Sequence, residues 1–400
     1  MSVVALSNRI NSLVESQTIA MAKKARELAA QGNDVINLSF GEPDFQTPAY
    51  IKEAASRAME QGFTFYTPVP GYLDLRQAIA QKLSRDNDIN YRPENIVVST
   101  GAKQSIANVL LCLINPGDEV VVIAPYWVSY LEMVKLAEGV PVCVMGDVSN
   151  NFKPTAAQIE AVITPRTKAI IYSSPSNPTG AMFSREELAA IAEVMLRHQQ
   201  VFAIADEIYE YISFGDKPVS LGSFPSVKDR VITVNGFSKA YAMTGWRVGY
   251  LAAERWIADA CDKMQGQFTS GTCSIAQKAA LGALLGDRTP TLEMRDAFLR
   301  RRDLMVRLFS AIPDLKVNTP DGAFYLFPDV SAYFGKKTPT GDVIHDSTDL
   351  CNYILTTSYV SVVSGEAFGN DNCIRISFAA ADDKLVEAAK RITAAFAALS

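Results

Sequence analysis

The chain has 400 residues, of which 48% are hydrophobic and 20% charged, and its formal net charge is −5 at pH 7. This length is enough for two or three domains, and the acidic balance argues against nucleic acid or an anionic membrane as the main partner. The first ten residues lack the basic and apolar regions of a secretory signal. No apolar run approaches the ~20 residues that span a bilayer, so we expect a cytoplasmic protein without a membrane partner.

Cysteine and histidine are poorly placed for metal or hydrolytic chemistry. The six cysteines are scattered without a C-x-x-C pair, which favours buried free thiols over disulfides or metal ligands. The two histidines, His198 and His345, have no metal-ligand spacing and no neighbouring nucleophile. We therefore expect no metal site, and acid–base chemistry has to use Lys, Tyr, Asp or Glu.

The first hundred residues predict helices with one short strand among them. Apolar residues at helical spacing, glycines at helix ends and a proline at a helix start set the boundaries. Tyr66 lies in a loop rich in proline and glycine. The predicted helices cover 8–30, 48–62 and 71–87, and the strand covers 35–40.

Seven short apolar runs rich in β-branched residues follow, most of them separated by helical patterns. One of these helices is predicted to start at a capping box formed by Ser184 and Glu187. Strands that are apolar throughout and joined by helices form parallel sheets covered on both faces. We therefore predict an α/β fold with a seven-stranded, mostly parallel sheet over 95–99, 119–124, 141–145, 168–173, 201–205, 231–234 and 248–252.

The last third of the chain has a different pattern. A long amphipathic helix over 291–311 leads to short strands at 324–328, 360–363 and 374–378 and to a closing helix over 382–398. This mixture predicts a second, smaller α+β domain. We assign 48–292 to the large domain, and 1–47 with 293–400 to an N-terminal arm and the small domain.

Polar side chains follow several predicted strands at the sheet edge where open α/β folds bind ligands. Lys239, preceded by Ser238, follows the strand over 231–234, and Arg247 lies eight positions later. A hydroxyl and a guanidinium suit a phosphate, and a lysine can hold a carbonyl compound as a Schiff base. The pattern indicates a phosphorylated, carbonyl-bearing cofactor, although a single lysine in a loop is usually only solvated.

Three other strand ends carry weaker signals, each with a purely structural alternative. Gly101 opens a helix whose amides suit an anion, yet the glycine can serve only the turn. Asn177 lies in a proline-containing run, and the structural alternative is that this run forms a rigid turn and nothing more. Asp206 can cap a helix. If it is buried instead, its charge needs a cation such as a protonated pyridine nitrogen, and Tyr209, three residues later, could reach an oxygen on the same ring.

Taken together, these segments resemble the pyridoxal-phosphate-dependent aminotransferases of fold type I. The similar motifs are NPTG (177–180), DEIY (206–209), SK-x-x-x-x-TGWR-x-G (238–249) and R-x-S-F (375–378). The blocks GAKQ (101–104) and PYWVSY (125–130) are similar to the bacterial aspartate aminotransferase branch of class I. The resemblance covers nearly the whole chain.

The resemblance implies pyridoxal 5'-phosphate as the cofactor. Lys239 would bind it covalently and move the proton between substrate and cofactor, and Asp206 would keep the pyridine nitrogen protonated. The ring would be contacted by Asn177, Tyr209 and Trp127. The phosphate would be held by Ser238, Arg247 and the amides of Gly101, Ala102 and Lys103. Tyr66 would reach the phosphate of the neighbouring subunit, which implies a homodimer with shared active sites.

The resemblance also implies a substrate site for amino acids and 2-oxo acids. Arg375 would bind the α-carboxylate near the Gly41 backbone, with Trp127 and Asn177 beside it, and closure of the small domain would exclude water. Lys103 would bind a distal carboxylate, since the region where another branch takes an arginine from the partner holds only Lys278. The implied reaction converts L-aspartate and 2-oxoglutarate to oxaloacetate and L-glutamate.

Several alternatives stay open. The chain could act on aromatic or other amino acids, and a dual aspartate/prephenate activity is disfavoured because Val14-Glu15 stands where some members of this branch have a lysine. A β-lyase or cyclopropane-forming synthase would keep the fold and cofactor. A cofactor-binding regulatory module without turnover is disfavoured, because the motifs begin near Gly41 and no fused DNA-binding domain is visible.

Overall fold

The structure is a computed structural model that describes residues 6–14 and 17–400. The single helix predicted over 8–30 is wrong, since α1 ends at Asn11 and residues 13 and 14 are not helical. The amide of Val14 donates instead to Glu132 Oε2 at 2.9 Å. The elements before the main sheet are α1 (Asn8–Asn11), α2 (Gln17–Ala30), β1 (Ile36–Asn37), α3 (Ala49–Glu60) and α4 (Leu73–Asn87).

The predicted seven-stranded sheet is confirmed. Its strands are β2 (Ile96–Ser99), β3 (Glu119–Ala124), β4 (Val140–Met145), β5 (Thr167–Ser173), β6 (Phe202–Asp206), β7 (Val231–Gly236) and β8 (Gly249–Ala252). Their order is β2-β8-β7-β6-β5-β3-β4, and β8 runs in the direction opposite to that of the other six strands. The fold is therefore α/β, with a mostly parallel central sheet.

Helices cover both faces of this sheet. On β3, Val120 and Val122 enter one hydrophobic core while Val121 and Ile123 enter another, as the two-residue period of a strand requires. This double burial is why the strands are apolar at nearly every position. The helices of this part are α5 (Ala102–Leu113), α6 (Ser129–Leu136), α7 (Ala156–Glu160), α8 (Arg185–Arg197), α9 (Arg255–Phe268) and α10 (Ser274–Leu285).

The C-terminal part is the mixed α+β region that the sequence predicts, although the run over 360–363 forms two strands. Strands β11, β12 and β9 form a small antiparallel sheet, and β10 pairs in parallel with β1. Residues of the N-terminal arm, among them Met21 and Ile36, share its hydrophobic core. The elements are α11 (Thr289–Ser310), β9 (Tyr325–Leu326), α12 (Ser347–Ser358), β10 (Val360–Ser361), β11 (Val363–Ser364), β12 (Ile374–Ser377) and α13 (Asp382–Ala397).

Sheet register brings the ends of several strands together at one edge. Ser173 pairs with Asp206, and Asp206 pairs with Val234, so β5, β6 and β7 end side by side. Because β8 runs the opposite way, its first residue, Gly249, pairs with Gly236 at the same edge. Loops that follow parallel strands and the loop that precedes β8 therefore meet at one place.

The described residues contain neither a membrane-spanning helix nor a metal-binding cluster. Within 6–14 and 17–400, no helix is long and apolar enough to cross a membrane. In the same part of the chain, no group of His, Cys, Asp and Glu side chains is arranged to hold a metal ion.

Candidate active site

A cavity of about 390 Å³ opens at this edge of the sheet. Most residues that the sequence assigned to the site line it: Gly41, Ala102, Lys103, Trp127, Asn177, Asp206, Tyr209, Ser238, Lys239, Arg247 and Arg375. Gly101 and Tyr66 are not among its lining residues. Segments from α2 to β12 contribute, so nearly the whole length of the chain is needed to build it.

Lys239 follows β7 and reaches into the cavity. Its Nζ donates to the Gly41 carbonyl oxygen at 2.6 Å. Burial lowers the pKa of Lys239 to about 8, with Arg375 and Arg247 acting in the same direction and Glu42 and Asp206 opposing them. An amine with this pKa is partly neutral near physiological pH, as a nucleophile or general base has to be.

Asp206 ends β6 and is buried beneath the cavity. Tyr130 on α6 donates its hydroxyl to Asp206 Oδ2 at 2.7 Å, and the Ile208 amide donates to Oδ1 at 3.3 Å. Burial raises the pKa of Asp206 to about 6, against the lowering effect of the Tyr130 hydrogen bond. This contact of Tyr130 was not predicted from the sequence, although the residue is the last of the PYWVSY block.

Arg375 lies on β12 and is 3% exposed. Its Nη1 donates to Asn177 Oδ1 at 2.9 Å and its Nη2 to the Ser39 carbonyl at 2.6 Å, while its buried Nε has no partner. Among the described residues, no carboxylate forms an ion pair with it. A buried cation without a counter-ion favours an anionic ligand.

Two aromatic rings hold the Arg375 guanidinium in place. Its central carbon lies 4.6 Å from the ring centre of Tyr325 and 4.8 Å from that of Phe368. The Tyr325 hydroxyl also lies 2.8 Å from that of Tyr209, and burial raises the pKa of Tyr209 well above its usual range. Tyr325 was missed as a site residue, because its run of aromatic residues indicates only a core strand.

Arg247, Ser238 and the start of α5 form a cradle for an anion. Arg247 has a φ of 56°, and its Nη1 donates to the Thr244 carbonyl at 3.0 Å. Gly101 has a φ of +84°, and a Cβ there would lie 2.4 Å from Arg247 Nη2. The Gly101 amide donates to the Ser99 carbonyl at 2.7 Å. The contribution of Gly101 in this structure is therefore space for Arg247.

Lys103 and Trp127 form the remaining wall. The Lys103 ammonium lies 4.9 Å from the Trp127 ring centre, and Trp127 packs edge-on against Tyr130 at 5.5 Å between ring centres. Desolvation and the nearby Arg247 lower the pKa of Lys103. The prediction that Lys103 belongs to the site is consistent with this position.

Two other sequence predictions concern residues away from the cavity. Tyr66 is 99% exposed and, with Phe65, lines a separate surface hollow beside residues 271–274. Val14 is exposed, and Glu15 lies outside the described residues. The structure therefore shows only the first of the two residues that stand where some members of this branch have a lysine. Tyr66 therefore has no contact with the cavity of its own chain.

The chain is similar to known proteins over its full length. The family model described as Aminotransferase class I and II matches residues 33–392. The aspartate/prephenate aminotransferase of Cereibacter sphaeroides is 48% identical over 399 residues, which cover 99% of both chains. The bifunctional aspartate aminotransferase and glutamate/aspartate-prephenate aminotransferase of Petunia hybrida is 46% identical, over 97% of this chain and 82% of that protein.

Solved structures agree with this match. The aspartate aminotransferase of Rhizobium meliloti superposes with a TM-score of 0.96 at 42% identity, over 100% of both chains. The Thermus thermophilus aspartate aminotransferase with maleate gives a TM-score of 0.92 at 38% identity, over 98% of this chain and 100% of that one. The predicted fold type I architecture is thus confirmed. This chain belongs to the class I and II aminotransferase family.

Proposed function

We propose that the protein is a pyridoxal-phosphate-dependent aspartate aminotransferase, which converts L-aspartate and 2-oxoglutarate to oxaloacetate and L-glutamate. The observation that carries this proposal is the pairing of Arg375, a buried cation without a carboxylate partner, with Lys239 in one cavity. One group can bind the carboxylate common to all substrates, and the other can react. The names of the relatives at 42–48% identity support aspartate as the substrate.

The residues present fit pyridoxal 5'-phosphate. Asp206 is a buried carboxyl with a raised pKa and no cation bonded to it among the described residues, so a protonated ring nitrogen would stabilise its charged form. The space left by Gly101 and the Arg247 guanidinium suit a phosphate at the start of α5. Ser238 lines the same cavity.

When bound, the cofactor supplies a ring that withdraws electrons from the substrate's α-carbon. The amine of Lys239 would take the proton from that carbon and deliver it to the cofactor's C4′, and in the second half-reaction it would move a proton in the opposite direction, as its lowered pKa permits. Asp206 would stabilise a positive charge at the ring nitrogen. Tyr209 and Asn177 would contact the phenolic oxygen, and Trp127 would contact the ring.

Arg375 selects the substrate by its α-carboxylate. The guanidinium is already fixed by Asn177, Ser39 and two aromatic rings, so little side-chain freedom is lost when a carboxylate binds. Lys103 binds the distal carboxylate. We also propose that the small domain closes over the bound substrate and that the protein is a homodimer in which Tyr66 serves the partner's site. The exposed Phe65 and Tyr66 support such an interface.

The substrate assignment is tested with Lys103→Ala and a panel of amino donors. Loss of a charge-assisted contact costs about 1.5–3 kcal/mol, so kcat/KM for aspartate should fall about 10- to 150-fold. Turnover of alanine, which has no distal carboxylate, should change little. Unchanged aspartate turnover would instead favour an enzyme for aromatic or other amino acids.

A dual function is the second candidate, because the relatives at 48% and 46% identity have names that include prephenate. Transamination of prephenate by glutamate or aspartate tests it directly. Product formation at a rate comparable with that for 2-oxoglutarate would establish it, and no product would restrict the protein to aspartate and its relatives.

A further inference from the structure

The cavity contains one cation for which the proposed reaction gives no role. Five cationic side chains of the described residues line it, and four of these, Lys103, Lys239, Arg247 and Arg375, already have proposed roles. The fifth is Arg26 on α2, in the N-terminal arm. No motif in the sequence pointed to it.

The position of Arg26 follows from the way in which α2 is packed. Ile19, Ala22 and Arg26 all line the cavity, and their spacing of three and four residues places them on one face of the helix. Met21 and Ala25, on another face, are buried in the core of the C-terminal part. The helix is thus fixed from behind, and the exposed residue Arg26 lies on the side of the helix that borders the cavity.

The charge of Arg26 is uncompensated within the described residues. Among those residues its guanidinium forms no hydrogen bond or ion pair. Arg301 differs, because its Nη1 and Nη2 donate to the Asp44 carboxylate at 2.7 and 3.0 Å. Among the residues that the structure describes, two carboxylates, Glu42 and Asp206, line the cavity beside the five cations. Asp206 is bonded to Tyr130, and Glu42 accepts from Thr244 at 3.2 Å. Such an excess of positive charge attracts ligands with more than one negative group.

We propose that Arg26 binds the second carboxylate of dicarboxylic substrates and so helps to determine specificity. This inference rests on the proposed function, because Arg375 is taken to hold the α-carboxylate. A guanidinium can bind a carboxylate through two parallel hydrogen bonds, which an ammonium such as that of Lys103 cannot do. Arg26 and Lys103 come from different segments, so the cavity can accept 2-oxo acids whose second carboxylate is at different distances, including one carried on a ring.

Binding of unreactive acids tests this proposal without turnover. Glutarate and pentanoate have equal chain lengths and differ by one carboxylate, so their dissociation constants from the holoenzyme, measured by calorimetry, isolate the second carboxylate. In Arg26→Gln, glutarate should bind about tenfold more weakly or worse, and pentanoate should bind within about twofold of the unmodified protein. The matched control is Lys23→Gln, which removes the same charge from an exposed α2 residue that does not line the cavity.

Kinetics provide a second readout. Arg26→Gln should raise KM for glutamate and 2-oxoglutarate with little change in kcat, and leave alanine unaffected, while Arg26→Lys should restore part of the loss. Equal weakening of glutarate and pentanoate would show a merely structural role, and unchanged glutarate binding would show no role; either result overturns the proposal. A wild-type protein that fails to transaminate aspartate would refute the proposed function, whereas the glutarate comparison addresses Arg26 alone.

Discussion

The ionisation of Lys239 can be measured separately from catalysis. Neutral amines react with formaldehyde and a borohydride reagent, and mass spectrometry of the cofactor-free protein reports the extent of methylation at each lysine. Because burial lowers the pKa of Lys239 to about 8, its methylation should reach half its maximum near that pH and level off above it. A free lysine has a pKa of about 10.4 and continues to gain reactivity up to that pH.

A midpoint near pH 10 for Lys239 would show that the cavity does not lower its pKa. The variant Lys239→Ala supplies the matching control, since it removes the signal from this peptide and should also abolish turnover. Retained turnover in that variant would contradict the proposed role of the lysine.

Substitution of Arg375 should lower kcat/KM for every substrate alike, because all of them carry an α-carboxylate. In Arg375→Ala two charge-assisted hydrogen bonds are lost, and we expect kcat/KM to fall about 10²-fold or more for amino acids and 2-oxo acids. Arg375→Lys keeps the charge but not the bidentate geometry, so it should recover only part of this loss.

Cofactor binding should remain nearly normal in both variants, as judged by the visible absorbance of the bound cofactor. A loss confined to amino acids, or to 2-oxo acids, would contradict the assignment of Arg375 to the α-carboxylate.

Among the elements, the turn after β6 depends on a buried charge network behind the cavity. Lys82 on α4 binds Glu210 Oε1 and donates to Asn87 Oδ1 at 2.8 Å, and Lys82 and Glu210 are 2% and 7% exposed. Glu210 lies four residues after Asp206, so the network anchors the segment that carries both Asp206 and Tyr209.

Removing one member of this pair should be strongly destabilising. Lys82→Met leaves Glu210 buried without its cation, and we expect the free energy of unfolding to fall by about 3–5 kcal/mol in urea titrations. The double variant Lys82→Met with Glu210→Leu should recover much of that loss, because neither member of the pair is then left buried without its partner. A single variant as stable as the unmodified protein would show that the pair contributes little.

The sequence predicted the elements better than the contacts between them. All seven strands of the main sheet were predicted, because burial on both faces leaves a continuous apolar run. The Ser184–Glu187 capping box is also confirmed, since the Glu187 amide donates to the Ser184 hydroxyl at 3.2 Å. The run over 360–363 was read as one strand, but Val360 pairs with Ile36 and Val363 with Arg375, in two different sheets. An apolar stretch of sequence does not specify which strand it will pair with.

The site was predicted only in part, because sequence patterns show strand ends but not contacts between distant segments. Lys239, Asp206 and Arg247 follow or precede strands at a single edge, so a rule about sheets finds them. Tyr130 is 76 residues from Asp206 in sequence, and Tyr325 is 116 residues from Tyr209, so these contacts exist only after folding. Arg26 lies on a helix of ordinary pattern, and nothing in its spacing distinguishes it from a solvated arginine.

At the scale of the whole molecule, mixed dimers test the shared active site. We expect Tyr66→Ala and Lys239→Ala each to be impaired alone. If Tyr66 serves the partner's site, a hybrid of the two variants contains one site with an intact Lys239 and an intact Tyr66. Mixing the two proteins under conditions of subunit exchange should therefore restore activity, up to about half that of the wild-type dimer in each hybrid.

No restoration in hybrids whose formation is verified by differential tagging would contradict shared sites. Size-exclusion chromatography with light scattering would give the oligomeric state independently.

The hydrogen bond between Arg375 and the Ser39 carbonyl joins residues 336 positions apart. During synthesis on the ribosome, the β6 and β7 segments leave the exit tunnel long before Arg375 does, so Lys239 is made well before the residue that is proposed to bind the substrate carboxylate. The contact between Arg375 and the Ser39 carbonyl therefore forms only after both ends of the chain have been made, and a chain that ends before residue 375 cannot build it.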